Sequence, residues 1–290
     1  MNCKALCLCG LLVIAAGAAA ETPTVETTPI RDGLYLLKGR GGNVVASVGQ
    51  DGVLLVDSDY GNYQSAYLEA VQRLDAEAVR FLINTHWHGD HTGSNAAWGD
   101  TGSVILAHDN VRLRLSTRQE NKLFKRVTEP SPESAWPLVT FGDSLALHVN
   151  GQTVEAQHYP SGHTDGDSVV YFVEADVVHM GDHFFKDRFP FVDFSSGGTV
   201  GGFIDNIAAV LERVGDNTTI VPGHGDLADR DDLVRYYEML KATRTEVEGM
   251  QGQGMSLEAM IEKGLGARWK DWGAGFITEE RWITFLATSP

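Results

Sequence analysis

The stretch Thr85-His86-Trp87-His88-Gly89-Asp90-His91-Thr92 places four metal-binding side chains within six residues. Neutral imidazole is the commonest protein ligand for zinc, and a carboxylate adds a hard oxygen. Immediately upstream, residues 79–85 form a near-continuous apolar and β-branched run, the pattern of a strand covered on both faces. His86 therefore begins just past a strand end. Side chains alternate along extended backbone, so His86 and His88 point the same way. Asp90 and His91 lie beyond the turn at Gly89 and curl towards a neighbouring position. That spacing suits two adjacent ions, not one tetrahedral structural zinc.

Working outward, three further segments set a ligand just after a strand and beside a glycine. Ser161-Gly162-His163-Thr164 follows a strand expected at 153–159. Met180-Gly181-Asp182-His183 follows one at 177–180, and Val221-Pro222-Gly223-His224-Gly225 follows the short run 219–221. Glycine lets the backbone turn such side chains into a shared cleft. His183 has opposite strand parity to Asp182. His108, His148, His158 and His179 carry no motif and read as structural or surface residues.

Around these motifs the chain alternates strands and helices. Runs at 34–37, 43–48 and 53–56, with the turn Gly49-Gln50-Asp51-Gly52, make a hairpin pattern. Tyr67, Leu68, Val71 and Leu74 recur with helical spacing over 64–74. Further strands are expected at 104–107, 144–148 and 168–173, and helices near 202–213, 233–249, 257–263 and 279–286. Strands in both halves, with helices interleaved and at the end, indicate α/β sheets between helical layers. Residues 21–29, rich in Thr and Pro, read as a loose leader. Residues 116–137, with Pro130, Pro132 and Pro137, read as a functional or mobile loop. The glycine-rich run 196–202 lacks the lysine and spacing of a P-loop and reads as a flexible active-site loop.

Composition narrows the function. The chain has 290 residues, 43% hydrophobic and 21% charged, as in an ordinary globular protein. With 23 Lys and Arg against 39 Asp and Glu, its formal charge is −16. It lacks the basic footprint of a nucleic-acid binder. Residues 1–20 combine an early lysine, a short apolar run and Ala18-Ala19-Ala20, the pattern of a secretory signal peptide. Cys3, Cys7 and Cys9 are the only cysteines. Their removal would leave no disulfide, catalytic thiol or thiolate ligand, which suits a bacterial periplasmic or secreted protein with no membrane attachment after cleavage.

The motifs His86-x-His88-x-Asp90-His91, His163, Asp182 and His224, in that order, resemble those of the metallo-β-lactamase superfamily. Leu54-Leu55-Val56-Asp57 extends the likeness towards the N-terminus. The resemblance implies a four-layer αββα sandwich, here one domain over residues 21–290 with a C-terminal helical tail. It implies two zinc ions per chain, with iron or manganese as the alternatives. His86, His88 and His163 would hold the first ion and Asp90, His91 and His224 the second. Asp182 would bridge them or bind the second, and Asp57 would orient ligands from behind.

The implied reaction is hydrolysis of a small molecule. A hydroxide shared by the ions attacks the carbonyl of a cyclic amide or ester, and Asp90, the catalytic residue, orients it or moves its proton. The flanking motifs are most similar to exported β-lactamase-like members with broad or weak β-lactam activity. Asp182 also brings the ligand set near lactonases and glyoxalase II-like thioesterases. An iron-dependent sulfur dioxygenase is the rival of another class, for which a full second ligand set would be unnecessary. Trp87 and Phe184, with Phe185, Phe189, Phe191 and Phe194, wall a pocket or fill the core. Lys186 pairs with a substrate carboxylate or stays solvated. Trp269, Trp272 and Trp282 pack onto the domain or form a contact between copies, leaving the oligomeric state open.

Overall fold

A computed structural model describes residues 22–31, 33–74, 78–121 and 123–290. The expected signal peptide lies outside the described residues, among which no helix is long and apolar enough to cross a membrane.

The first half lays down β1 (Glu26–Arg31), β2 (Leu34–Lys38), β3 (Val44–Gly49) and β4 (Gly52–Val56), each antiparallel to the next. Helix α1 (Gln64–Gln72) then crosses to β5 (Val79–Ile83), which runs parallel to β4. Two short helices, α2 (Gly89–Thr92) and α3 (Asn95–Asp100), precede β6 (Val104–His108) and α4 (Asp109–Ser116). A hairpin of β7 (Gln119–Asn121) and β8 (Arg126–Thr128) stands apart, and β9 (Val139–Phe141) completes a seven-stranded sheet of order β1-β2-β3-β4-β5-β6-β9.

The second half builds a five-stranded sheet from β10 (Ser144–Val149), β11 (Gln152–His158), β12 (Ser168–Phe172), β13 (Val177–His179) and β14 (Thr219–Val221). Its pairs are antiparallel except β13–β14, which are joined through α5 (Val200–Arg213). Helices α6 (Arg230–Gly252), α7 (Leu257–Lys263) and α8 (Glu279–Thr288) finish the chain.

Strand parity produces the layers. Leu54 and Val56 of β4 face the second sheet, while Val53 and Leu55 face α1. In β12, Val170 and Phe172 face the first sheet, while Val169 and Tyr171 turn towards the outer helices. Both faces of each sheet are thus apolar, and the arrangement is an αββα sandwich. The C-terminal tail packs onto the domain. Trp282 is fully buried, stacks 5.8 Å from Phe189, and donates through Nε1 to Thr243 Oγ1 at 2.9 Å.

Two expectations need correcting. Residues 26–31 are not a loose leader but strand β1, with Thr27 and Thr28 paired opposite Leu37 and Leu36. Residues 116–137 are not one unpatterned loop. They hold the β7–β8 hairpin and a 3₁₀ turn at Glu133–Ala135. Three-residue strands of polar composition leave no periodicity to read.

The parallel strands deliver their C-terminal ends to one rim. Asp57 follows β4, residues 84–92 follow β5, 159–167 join β11 to β12, and 180–183 and 222–225 follow β13 and β14. Main-chain bonds lace the sheets together there: Ser168 N donates to Thr85 O at 2.7 Å and Asn43 N to Gly223 O at 2.8 Å.

Candidate metal centre

Seven side chains meet at this rim in two groups. His86, His88, His163 and Asp182 form one, and Asp90, His91 and His224 the other. Asp182 sits between them with its oxygens divided. Its Oδ2 lies 3.8 Å from His86 Nε2 and 3.4 Å from His163 Nε2. Its Oδ1 lies 3.1 Å from His91 Nε2 and 3.4 Å from His224 Nε2. Asp90 Oδ2 stands 3.4 Å from His224 Nε2 on the cleft side. The sequence-predicted ligands are all here.

The other nitrogen of four rings is tied down, and that fixes which lone pair faces inward. His91 Nδ1 donates to Asp57 Oδ2 at 2.8 Å. Asp57 also accepts from Thr85 N and Thr85 Oγ1, both at 2.8 Å. Because that hydroxyl gives its hydrogen to Asp57, it accepts from His86 Nδ1 at 3.1 Å. His163 Nδ1 donates to Phe191 O at 2.7 Å, and His88 Nε2 to Asp193 Oδ2 at 3.0 Å. Asp57 holds its position with φ at 66°, a left-handed backbone that a non-glycine residue adopts only when its surroundings impose it.

These donors fit metal ions. His86 Nε2 is buried with no hydrogen-bond partner among the described residues. His163 Nε2 and His88 Nδ1 point their lone pairs at each other across 2.8 Å. Unpaired buried acceptors crowded together are costly unless a cation neutralises them.

The two groups differ in charge. Burial pushes His163 down to about 4 and His86 well below the usual range, so both rings are neutral ligands at pH 7. Burial also opposes charge on His91 and His224, but Asp182 and the other nearby carboxylates prevail. They raise His91 well above its ordinary value and His224 to about 9. Burial likewise works against the Asp182 carboxylate, yet His91, His224, His86 and His163 hold its pKa well below the usual range.

Sequence reasoning missed several supports. Asp193, 105 residues from His88, binds it and also takes Ser196 Oγ at 2.7 Å and Asn121 Nδ2 of β7 at 3.1 Å. Asp59 accepts from the main-chain nitrogens of Arg40 at 3.0 Å and Gly41 at 2.8 Å and from Tyr67 Oη at 3.0 Å. It thereby holds a glycine loop against the centre, where a Cβ on Gly42 would lie 2.1 Å from the His91 ring. No local motif signals either carboxylate.

A cleft of about 840 Å³ opens over these side chains, lined by Trp87, Asp90, His224, Phe185, Phe189 and Phe191 among others, and roofed by the β7–β8 hairpin. Of the two side chains weighed between pocket wall and core, Trp87 does both, lining the cleft and packing with Ala107, Val111 and Leu115. Phe184 does not line the cleft: it is buried and packs 4.9 Å from Tyr236 in the core beneath α6. Lys186 also turns away, its Nζ 2.7 Å from Asp232 and donating to Leu227 O at 2.8 Å. His183 lies behind the centre, accepting from Asn206 Nδ2 at 3.0 Å. Gly198 and Gly202 in the run 196–202 are required by close packing. A Cβ on Gly198 would meet His163 O at 2.3 Å, and Thr199 Oγ1 caps α5 by accepting from Gly202 N at 3.0 Å.

The family model described as the metallo-β-lactamase superfamily matches residues 37–238. The chain is 26% identical over 238 residues to the metallo-β-lactamase type 2 of Bacillus cereus, covering 76% of this chain and 84% of that one. A hydroxyacylglutathione hydrolase of Polaromonas sp. is 28% identical over 158 residues, 53% of this chain and 52% of its own length. The crystal structure of the DIM-1 metallo-β-lactamase is similar with a TM-score of 0.62 and 17% identity, covering 77% of this chain and 100% of that chain.

Proposed function

The chain belongs to the metallo-β-lactamase superfamily, and on that premise we propose that it is an exported dizinc hydrolase acting on a cyclic amide or ester, with β-lactams among its substrates. The observation that carries this reading is the divided carboxylate of Asp182, one oxygen towards each histidine group. When bound, a pair of zinc ions supplies Lewis acidity and lowers the pKa of water to about 7.

The chain's own residues do the rest. Asp90, whose carboxyl is a quarter exposed on the cleft side, orients the attacking water. Trp87, Phe185 and Phe191 shield the reacting carbonyl from bulk solvent. Arg40, Arg126 and Arg188 line the cleft and have no ion-pair partner among the described residues. In a chain of charge −16, three such guanidinium groups on one cleft favour a substrate bearing a carboxylate. Lys186, paired with Asp232, supplies no charge there.

A thioesterase or lactonase is the second reading. It is favoured by the acidic Asp182 at the bridging position and by the likeness to the Polaromonas hydrolase.

The test is a panel offered to the zinc-loaded protein: a chromogenic cephalosporin, a carbapenem, an acyl lactone and a glutathione thioester, with Asp182→Ala as control. Rapid β-lactam turnover, lost on chelation and in the variant, is the expected result. Turnover confined to the lactone or thioester would replace it with the second reading.

A further inference from the structure

The superfamily match stops at residue 238, but the cleft is built from beyond it. Phe276 and Ile277, between α7 and α8, line it together with Phe124 of the β7–β8 hairpin. The Phe276 ring lies 5.6 Å from Phe124 and 6.2 Å from Phe191, and those two are 5.4 Å apart. Phe191 is the inner member. It stacks 5.7 Å from His88 and sits 5.5 Å from His163. Ring contacts therefore run unbroken from two metal-site histidines to the surface.

The outer end is held open to solvent. Phe276 is 62% exposed, a large apolar ring left in water. Arg281 of α8 keeps it there: its guanidinium lies 5.5 Å from the Phe276 ring and 5.9 Å from that of Phe124, and it donates to Phe276 O at 3.0 Å. A cavity of about 840 Å³ is far larger than a scissile carbonyl and one water need, a water's share of liquid volume being about 30 Å³.

We propose that Phe124, Phe191 and Phe276 form a subsite for an apolar arm of the substrate, aryl or branched alkyl, carried on the molecule whose carbonyl is hydrolysed. The occupant is the substrate's own arm because the patch is continuous with the metal cleft and lies under the hairpin, not on an open face. This rests on the hydrolase reading and adds a requirement to it: substrates without the arm bind less well.

The test compares two thiols on the zinc-loaded protein, mercaptoacetate and 2-mercapto-3-phenylpropanoate. Both offer a thiolate to zinc, and they differ by a benzyl arm. Calorimetry reads the ratio of their affinities. In the wild type the benzyl thiol binds about tenfold more tightly, the size expected for seating one ring among aromatic neighbours. In Phe276→Ala and Phe124→Ala that ratio falls to about two or less. The first variant removes an exposed side chain, so its fold is retained. A ratio unchanged in both variants overturns the subsite, and so does a wild type that binds mercaptoacetate but gains nothing from the arm. In either case the metal reading survives. Failure of both thiols with zinc bound would show the metals closed to ligands and sink the hydrolase reading and the subsite together. Self-association of the wild type that Phe276→Ala abolishes would make the patch a contact between copies and also overturn the proposal.

Discussion

At the scale of single residues, Asp57 does the most with the least contact. It touches no cleft atom, yet its carboxylate fixes His91 directly and His86 through Thr85. Asp57→Asn keeps the shape and removes the charge. Zinc affinity at the His91 position should fall about 10–100-fold, read by competition with a chromophoric chelator while circular dichroism stays native. The ligands themselves were legible in the sequence because metal chemistry leaves a local mark: histidine and aspartate crowded beside glycine. Their supports were not. Asp193 reaches His88 from 105 residues away, and nothing around Asp193 distinguishes it from a surface acid. Phe184 and Phe191 are alike in sequence, but the backbone after β13 is irregular, so alternation could not say which faces the core.

The protonation states of the two groups give a second prediction. His224 at about 9 and His91, higher than usual, carry protons at neutral pH until an ion displaces them. A raised pKa means that the competing proton is present below it and leaves as pH rises through it. Zinc affinity at the second position should therefore climb with pH up to about 9 and weaken on acidification. The first position, where His163 titrates near 4, should hold its ion to much lower pH. Zinc content measured across that range should drop from two ions to one before reaching none. Simultaneous loss of both would contradict the assignment.

At the scale of elements, strands and helices with a clear period were readable: the strands expected at 79–85 and 168–173 are Val79–Ile83 and Ser168–Phe172, and the helix expected at 233–249 lies within Arg230–Gly252. β7 and β8 were invisible because they are both short and polar, whereas the equally short β13 and β14 stood out as apolar runs beside glycine. Helix α6 illustrates what fixes an element's start. Asp229 Oδ1 accepts from Asp232 N at 2.9 Å, and Asp232 returns a bond to Asp229 N. Asp232 also receives Lys186, which joins the helix to the segment behind the metal centre. Asp229→Ala should cost about 1 kcal/mol, seen as a lowered urea midpoint with unchanged slope. A change in slope would mean that more than the cap had been lost.

At the scale of the whole molecule, each sheet supplies part of the centre. His86, His88, Asp90 and His91 come from the first half, and His163, Asp182 and His224 from the second. On the proposed reading zinc would bind the assembled fold and not the separated halves, so saturating metal should raise the melting temperature and chelation should lower it. At a free concentration 100 times the dissociation constant the gain is about 2.7 kcal/mol. Calorimetry with and without a chelator measures it, and an unchanged midpoint would deny that the ions join the two halves.

Ions held as proposed, with ligands from both halves, would act as cross-links. His88 and His163 are 75 residues apart in sequence, and His91 and His224 are 133 apart. Closing loops of this size in an unfolded chain costs about 4–5 kcal/mol by the reasoning applied to disulfides. From residue 10 onward the chain has no sulfur with which to make such a bond. Staples made of metal ions would be indifferent to thiol reductants and open to a chelator.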